Sequence, residues 1–195
     1  QMQHAGGHLY GSAVPCLRMA QPHAQLFLQY GMTETYRSTY LHPEEVDRYP
    51  DSIGRPVPGA EILVLREDGT TCDADETGEL VFRGPTVAAG YWNDPEGTER
   101  TFRPLSAVPS MTGSADERVV YSGDLARRGP DGLLYLVGRR DRMIKTLGFR
   151  VGPDEVADAL FASGVVSEVV VIGEPDKQLG ERIVAHLVLK AGGSL

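Results

Sequence analysis

The sequence predicts an α+β fold in which a mostly β segment is followed by a small α/β unit. Up to about Gly138, short apolar or alternating runs are separated by turn signals rich in Gly, Pro and Asp. That spacing indicates a barrel-like or layered β unit. Beyond Gly138 the pattern changes to one helix and two strands. We place the boundary in the run Arg139–Arg142 and predict two domains, residues 1–140 and 141–195.

Short strands are predicted along the β segment, each bounded by turn residues. The first enters a loop at Gly31, and the last two flank a hairpin turn at Gly129–Gly132. Residues 36–59 and 103–117 show little periodicity and are expected to be irregular. The predicted strands cover residues 24–30, 61–66, 79–83, 119–122 and 133–137.

A helix is predicted to begin at Pro153 in the second unit. Its apolar residues, such as Val156 and Leu160, share one face, and Gly164 follows its end. Acidic residues occupy the first turn, where the helix dipole favours them. Two strands, residues 168–172 and 182–189, are expected to follow with a loop between them, which makes a β/α unit without its next element.

Composition excludes several classes of function. Nineteen Lys and Arg residues against 27 Asp and Glu residues give a net charge of −8, which argues against nucleic acid and anionic membranes as partners. No apolar run approaches the roughly 18 residues of a membrane span, and no signal-peptide pattern opens the chain. Cys16 and Cys72 lack metal-ligand spacing and are typical of incidental thiols in a reducing compartment, so a cytoplasmic location is expected. The chain begins at Gln1 without an initiator Met and ends at Leu195, just after a predicted strand. We therefore expect it to be a segment of a longer protein.

The first motif with chemical potential is Tyr30–Thr35 (Tyr-Gly-Met-Thr-Glu-Thr). A strand that ends in a Gly-containing loop presents hydroxyl, carboxylate and backbone N–H groups at a sheet edge, where ligands of α/β folds bind. Thr33 offers a hydroxyl to a phosphate oxygen, and Glu34 is an oxygen ligand suited to Mg²⁺. The alternative is an ordinary polar loop.

Three further motifs follow along the chain. In Tyr121–Leu125 (Tyr-Ser-Gly-Asp-Leu), Asp124 suits the two hydroxyls of a ribose, or alternatively belongs to a turn. In Gly138–Arg150, Arg139 and Lys145 are candidate ligand-binding cations, or alternatively part of a solvated face. Gly78–Gly84 together with Ala89–Pro95 alternates glycines and aromatics in a way that indicates tight β packing.

In their order and spacing, the four motifs resemble the AMP-forming adenylating superfamily. That family contains acyl-CoA synthetases, aryl-CoA ligases, adenylation domains of nonribosomal peptide synthetases and luciferases. The resemblance runs from Ala5 to about Lys190, nearly the whole chain. Met32 and residues 36–41 look more like acyl-CoA ligases than peptide-synthetase modules. The fold it implies is the end of a large N-terminal domain, with a strand edge and a barrel-like subdomain, followed by a truncated small C-terminal domain.

The resemblance also implies roles for individual residues, with Thr33, Glu34 and Lys145 as candidate catalytic residues. Thr33 would contact the α-phosphate, and Glu34 would hold Mg²⁺. Asp141 matches the hinge about which the C-terminal domain rotates between two half-reactions. Lys145 matches a position that faces the site only in the second orientation, and Gly148 one that lines the thiol tunnel. The implied nucleotide-binding residues are Gly6, Gly7, Tyr30, Gly31, Met32, Thr33, Asp124, Leu136 and Arg139.

The implied reaction has two steps and uses ATP, Mg²⁺ and a thiol. A substrate carboxylate attacks the α-phosphorus of ATP, pyrophosphate leaves, and the acyl-adenylate is transferred to coenzyme A. One alternative is loading onto the phosphopantetheine of an acyl or peptidyl carrier protein, and another is a truncated, non-catalytic binding module. Residues 1–195 contain neither the family's phosphate loop nor its C-terminal lysine, so the segment alone is expected to be inactive. Most of the acid pocket would lie upstream of Gln1.

Overall fold

The structure, a computed structural model, describes residues 1–6, 9, 11–114 and 116–190. Contacts divide the chain into two compact units, Gln1–Leu136 and Val137–Leu195. The fold class is α+β, as predicted, and the described residues are mostly β with three α-helices. No helix among them is long and apolar enough to cross a membrane.

The first unit is built on a large sheet with two short helices beside it. Its elements are β1 (Met2–His4), α1 (Val14–Ala20), β2 (Leu26–Met32), β3 (Tyr36–Leu41), β4 (Ser52–Pro56), β5 (Glu61–Leu65), β6 (Thr77–Arg83), α2 (Pro95–Thr101), β7 (Phe102–Pro104), β8 (Arg118–Arg128) and β9 (Leu134–Arg139), which ends beyond Leu136. The strand order is β1-β2-β3-β4-β9-β8-β6-β5, and β7 pairs with β8. β1 is parallel to β2, whereas β2 is antiparallel to β3 and β6 is antiparallel to β8.

One apolar cluster of this unit supports part of the predicted site. Its buried members are Ile62, Val64, Leu80, Phe82, Phe102, Val120, Ala126 and Leu134. Each large apolar side chain buried in this way contributes about 1.5–3 kcal/mol to stability. Tyr30, Met32 and Leu136 are partly buried and pack against this cluster. Three predicted nucleotide-binding residues therefore pack against the same buried cluster.

The prediction that residues 36–59 are irregular is wrong for residues 36–41 and 52–56, where β3 and β4 lie. The residues that break the apolar pattern are polar but buried. Ser38 is 1 % exposed and its Oγ lies 2.6 Å from Thr35 Oγ1, while the Thr39 hydroxyl donates to the Ile53 carbonyl. Hydrogen bonds thus compensate for the cost of burying these polar side chains, which their polarity alone would place at the surface.

The loop expected at Gly31 is also absent, since β2 continues to Met32 and Gly31 pairs with Arg37. A Cβ at Gly31 would lie 1.7 Å from the Tyr36 carbonyl oxygen. The glycine is needed for the close approach of β2 and β3. It does not mark the end of a strand.

Around α2, one prediction is wrong and another holds only in part. Residues 89–95 do not form packed β structure, because Asp94 begins α2 and its carboxylate accepts from Gly97 N at 2.9 Å. Asp followed by Pro at the first helical position is a helix-start signal. Residues 103–117 contain the end of β7 and a 3₁₀ turn, Leu105–Ala107, before they become irregular.

The hairpin turn at Gly129–Gly132 is confirmed. Gly129 N donates to the Leu133 carbonyl at 2.9 Å, and Asp131 Oδ1 accepts from Leu133 N at 2.9 Å. The strands on either side, β8 and β9, extend beyond the predicted ranges.

The second unit carries a four-stranded sheet and one helix. Its elements are β10 (Ile144–Thr146), β11 (Phe149–Val151), α3 (Pro153–Ala162), β12 (Val166–Asp176) and β13 (Gly180–Leu189), and the strand order is β11-β10-β13-β12. The helix predicted at Pro153 is confirmed. The loop predicted at 173–181 is wrong, because β12 and β13 form a long hairpin whose turn is held by Asp176 Oδ1, which accepts from Gln178 N and Leu179 N.

Candidate active site

The turn between β2 and β3 displays Thr33 and Glu34. Thr35 N donates to the Met32 carbonyl at 3.2 Å, and the Thr35 side chain is 1 % exposed. Thr35 therefore anchors the turn, whereas Thr33 is exposed and Glu34 is half-buried. Tyr36, which closes the turn, has a φ of +56°, a left-handed conformation that is rare for an aromatic residue. The Thr33 hydroxyl and the Glu34 carboxylate thus lie on a β2–β3 turn that hydrogen bonds hold in place.

Tyr30 lies three residues before the turn and joins it to β8. Its hydroxyl donates to Asp124 Oδ2, and its ring stacks on Phe82 with centroids 6.0 Å apart and planes 18° apart. Asp124 is 8 % exposed. The first and second motifs, distant in sequence, therefore meet in the structure through the side chains of Tyr30 and Asp124.

A bulge in β8 aims the Asp124 side chain. Tyr121 pairs with Val81 and Leu125 pairs with Glu79, so three residues, Ser122–Asp124, stand opposite Leu80 alone. A bulge of this kind re-aims a side chain and often lies beside a functional site. Asp124 therefore lies within a strand, and its interpretation as a turn residue is wrong.

Each residue of the bulge has a defined hydrogen bond. Ser122 Oγ donates to the Leu80 carbonyl at 2.8 Å, and Asp124 N donates to Ser122 Oγ at 3.0 Å. Gly123 has a φ of +73°, and its N–H donates to Glu79 Oε1 at 2.9 Å. Glu79 itself is only 8 % exposed. The Ser-Gly-Asp sequence is what this bulge requires: a small hydroxyl, a left-handed glycine and then the acid.

The Glu34 side chain is held by a residue that sequence reasoning missed. The Tyr91 hydroxyl donates to Glu34 Oε1, and Ala88 N donates to the Glu34 carbonyl at 2.8 Å. Burial raises the pKa of Tyr91, and the hydrogen bond to Glu34 raises it further, so the hydroxyl is a proton donor at neutral pH. The sequence signal was Gly90-Tyr91-Trp92, which indicated only packing.

The remaining predicted residues of the first unit lie near its start and in β9. Gly6 has a φ of +93° with open space beside its Cα. Gly7 lies outside the described residues. Leu136 belongs to β9 and packs on the same cluster as Tyr30.

In the second unit, the predicted residues occupy a short turn and a hairpin. Arg139 Nε donates to Asp141 Oδ1 at 3.0 Å, and this bond lowers the pKa of the Asp141 carboxyl. Lys145 is exposed on β10, and its backbone N–H donates to Glu181 Oε2. Gly148, with a φ of +83°, forms the tight β10–β11 turn together with Leu147 at +50°. Two consecutive left-handed residues are the geometry of a type I′ hairpin.

A candidate metal centre would depend on Glu34. Over the described ranges, no group of three or more His, Cys, Asp or Glu side chains is arranged to hold a metal ion. A single protein carboxylate nevertheless fits Mg²⁺, which keeps several waters and takes further oxygens from substrate phosphates.

Comparison with known proteins agrees with this fold and these motifs. The family model of the AMP-binding enzymes matches residues 5–92, and that of the AMP-binding enzyme C-terminal domain matches residues 155–195. The chain belongs to the AMP-binding enzyme family, and the resemblance read from its motifs is confirmed. The two models together span more than half of the chain.

Particular relatives are ligases and synthetases. The chain is 36 % identical over 192 residues to the medium/long-chain-fatty-acid–CoA ligase FadD8 of Mycobacterium tuberculosis, covering 95 % of this chain and 31 % of the ligase. It is 36 % identical to a linear gramicidin synthase of Brevibacillus parabrevis, over 86 % of this chain and 3 % of the synthase. The solved o-succinylbenzoate coenzyme A synthetase of Bacillus subtilis, in complex with ATP and magnesium ion, superposes with a TM-score of 0.78 at 30 % identity, over 96 % of this chain and 36 % of the synthetase.

Proposed function

We propose that this chain is part of an ATP-dependent, AMP-forming ligase that activates a carboxylic acid as an acyl-adenylate and transfers it to coenzyme A. The observation that carries the proposal is the Tyr30–Asp124 hydrogen bond, which joins two family motifs at the residue, Tyr30, that packs on the apolar cluster. The similarity to a fatty-acid–CoA ligase supports a fatty acid as the substrate and coenzyme A as the thiol acceptor. The chain covers about a third of that relative, so the proposed activity is that of the longer protein.

The proposed nucleotide site uses the first unit. Asp124 accepts from the ribose hydroxyls, and Tyr30, with one face stacked on Phe82, lies beside the adenine. Main-chain groups of Gly6, Gly31 and Met32 border the nucleotide, and Leu136 packs on it. A buried carboxylate that is already oriented loses little freedom when it accepts a hydroxyl, so its contribution to affinity is large.

Thr33 and Glu34 are proposed to act at the phosphates. The Thr33 hydroxyl donates to the α-phosphate, and Glu34 ligates Mg²⁺, whose charge neutralises the phosphates when it is bound. The exposed position of Thr33 and the anchored turn beneath it support these roles. Orientation and charge neutralisation dominate such a displacement, because the protein does little covalent work in phosphoryl chemistry.

The second unit is proposed to serve the thiol-transfer step. We assign residues 1–140 to the end of the large N-terminal domain and 141–195 to the start of the small C-terminal domain, with Asp141 as the hinge. The division at Leu136/Val137 and the separate C-terminal family match support this assignment. Lys145 then acts as a charge in the second half-reaction, and Gly148 lines the thiol tunnel. The free cysteines Cys16 and Cys72 support a cytoplasmic location.

One second function is favoured by a specific observation. The similarity to the linear gramicidin synthase over 86 % of this chain supports transfer to a carrier-protein thiol instead of coenzyme A.

Incubating the full-length protein with ATP, Mg²⁺ and a series of fatty acids tests both proposed functions. Acid-dependent exchange of pyrophosphate into ATP, followed by thioester formation with coenzyme A, is the expected result. Thioester on a carrier protein alone would select the second function, and no exchange with any acid would contradict both.

A further inference from the structure

We propose that Tyr91 is a positioning residue for the Glu34 carboxylate, and that the loop 84–94 thereby sets how strongly Mg²⁺ promotes ATP binding. This inference depends on the proposed function of Glu34 as the metal ligand. Tyr91 lies 57 positions from Glu34 in sequence, and the structure brings the loop and Glu34 together at two points.

The first support is the double contact of the loop with Glu34. The Tyr91 hydroxyl donates to the side-chain oxygen Oε1, and Ala88 N donates to the main-chain carbonyl at 2.8 Å. The loop therefore holds both the backbone and the side chain of this one residue. A glutamate has three rotatable side-chain bonds, so fixing one carboxylate oxygen removes most of its freedom and orients the other oxygen.

The second support is that Tyr91 is itself anchored. Its backbone N–H donates to Thr98 Oγ1 at 2.9 Å, and its ring meets the Phe102 ring edge-on, with centroids 5.4 Å apart and planes at 78°. Phe102 is 1 % exposed and belongs to the apolar cluster beneath the site. The hydroxyl is thus presented by a ring that is fixed at both its backbone and its edge.

The neighbouring residues show that this arrangement is specific to Tyr91. A Cβ at Gly90 would lie 2.6 Å from Thr98 Cγ2, so the glycine allows Tyr91 to approach Thr98. Trp92, the next residue, is 98 % exposed. Of two adjacent aromatic residues, Tyr91 is 36 % exposed and donates to Glu34, whereas Trp92 is almost fully exposed, which provides a matched control.

The test measures ATP affinity by calorimetry in the full-length protein, with Mg²⁺ and with EDTA, and takes the ratio of the two affinities. Tyr91→Phe keeps the ring against Phe102 and removes only the hydroxyl. A hydrogen bond to a charged group is worth about tenfold in such an equilibrium, so we expect the ratio to fall about tenfold. Trp92→Phe should leave the ratio unchanged. Glu34→Gln should reduce it most, and Tyr91→Phe should add little in that background.

The outcomes separate the inference from the proposed function. If Glu34→Gln lowers the ratio but Tyr91→Phe behaves like Trp92→Phe, the positioning role is wrong and the metal role of Glu34 stands. If Tyr91→Phe raises the ratio, the hydroxyl competes with the metal, which also overturns the inference. If Glu34→Gln leaves the ratio unchanged, both are wrong. Thr98→Val, which loosens the Tyr91 backbone and leaves its hydroxyl in place, should lower the ratio by a smaller factor and provides an independent variant.

Discussion

Tyr30 on β2 donates its hydroxyl to Asp124 on β8, a residue 94 positions later in the chain. The two side chains belong to motifs that the sequence presents as separate signals. Because Tyr30 also stacks on Phe82, the acid fixes the ring at its polar end and the core fixes it at its face. Any change at Asp124 therefore acts both on a ligand at the carboxylate and on the orientation of Tyr30.

This coupling predicts a different response for two nucleotides. Asp124→Ala should weaken AMP binding by about 1–3 kcal/mol, because the ribose hydroxyls lose their acceptor. It should weaken 2′,3′-dideoxy-AMP by a smaller amount, which reports only the loosened Tyr30 ring. Tyr30→Phe is the matched control and should affect both nucleotides equally. Calorimetry on the full-length protein and its two variants measures the affinity for each nucleotide. Equal losses for the two nucleotides in Asp124→Ala would contradict the ribose assignment.

Gly31→Ala should destabilise the first unit strongly. The added methyl would meet the Tyr36 carbonyl, which is main chain and part of a paired strand. We expect a loss of about 2–3 kcal/mol, since the strands must separate to relieve the clash. Gly132→Ala, at a φ of +80° with open space around it, should cost only about 1–2 kcal/mol through backbone strain. Thermal unfolding of both variants makes the comparison, and equal shifts would refute the steric argument.

A proline at position 141 should separate the two half-reactions. Proline locks φ near −65°, so Asp141→Pro should hold one domain orientation. We expect adenylate formation to remain within about tenfold of the original rate and thioester formation to collapse, since hinge changes alter turnover without altering the chemistry. Asp141→Ala removes the bond from Arg139 but leaves the dihedral angles free, so both steps should survive. Lys145→Ala, like Asp141→Pro, should reduce thioester formation more than adenylate formation, but by a smaller factor. Equal loss of both steps in Asp141→Pro would contradict the hinge.

Stability should decline at alkaline pH through Tyr135. Burial, reinforced by the hydrogen bond to Asp131 at 2.7 Å, raises the pKa of Tyr135 to about 12. An unfolded tyrosine loses its proton near pH 10. The unfolded chain therefore binds fewer protons between these values, and stability falls as pH rises from about 10 to about 12. In Tyr135→Phe this part of the decline should disappear, whereas Tyr36→Phe, at a residue 72 % exposed, should retain it. Urea midpoints of the original chain and of both variants, measured across this pH range, test the prediction. An equal decline in Tyr135→Phe and Tyr36→Phe would contradict it.

Local signals predicted those elements whose physical cause is local. Helix α3 follows from Pro153, its acidic first turn and Gly164, and the turn at Gly129–Gly132 follows from its own residues. In both cases the hydrogen bonds that stabilise the element join residues close in sequence. The strands β3 and β4 were missed because their buried residues, such as Thr39 and Ser52, are polar and are satisfied by distant carbonyls, at Ile53 and Leu134.

By itself the sequence determined the chemical groups of the candidate site and their family, because the order of Tyr-Gly-Met-Thr-Glu, Ser-Gly-Asp and Gly-Arg-Arg-Asp is a property of the chain alone. Only the tertiary structure decided how the groups of the first unit face one another. The bulge at Ser122–Asp124 exists only when β6 pairs with β8, and the Tyr91 hydroxyl reaches Glu34 only when the intervening strands are assembled. Side-chain direction at these positions depends on strand register and on contacts many residues apart, which no local pattern encodes.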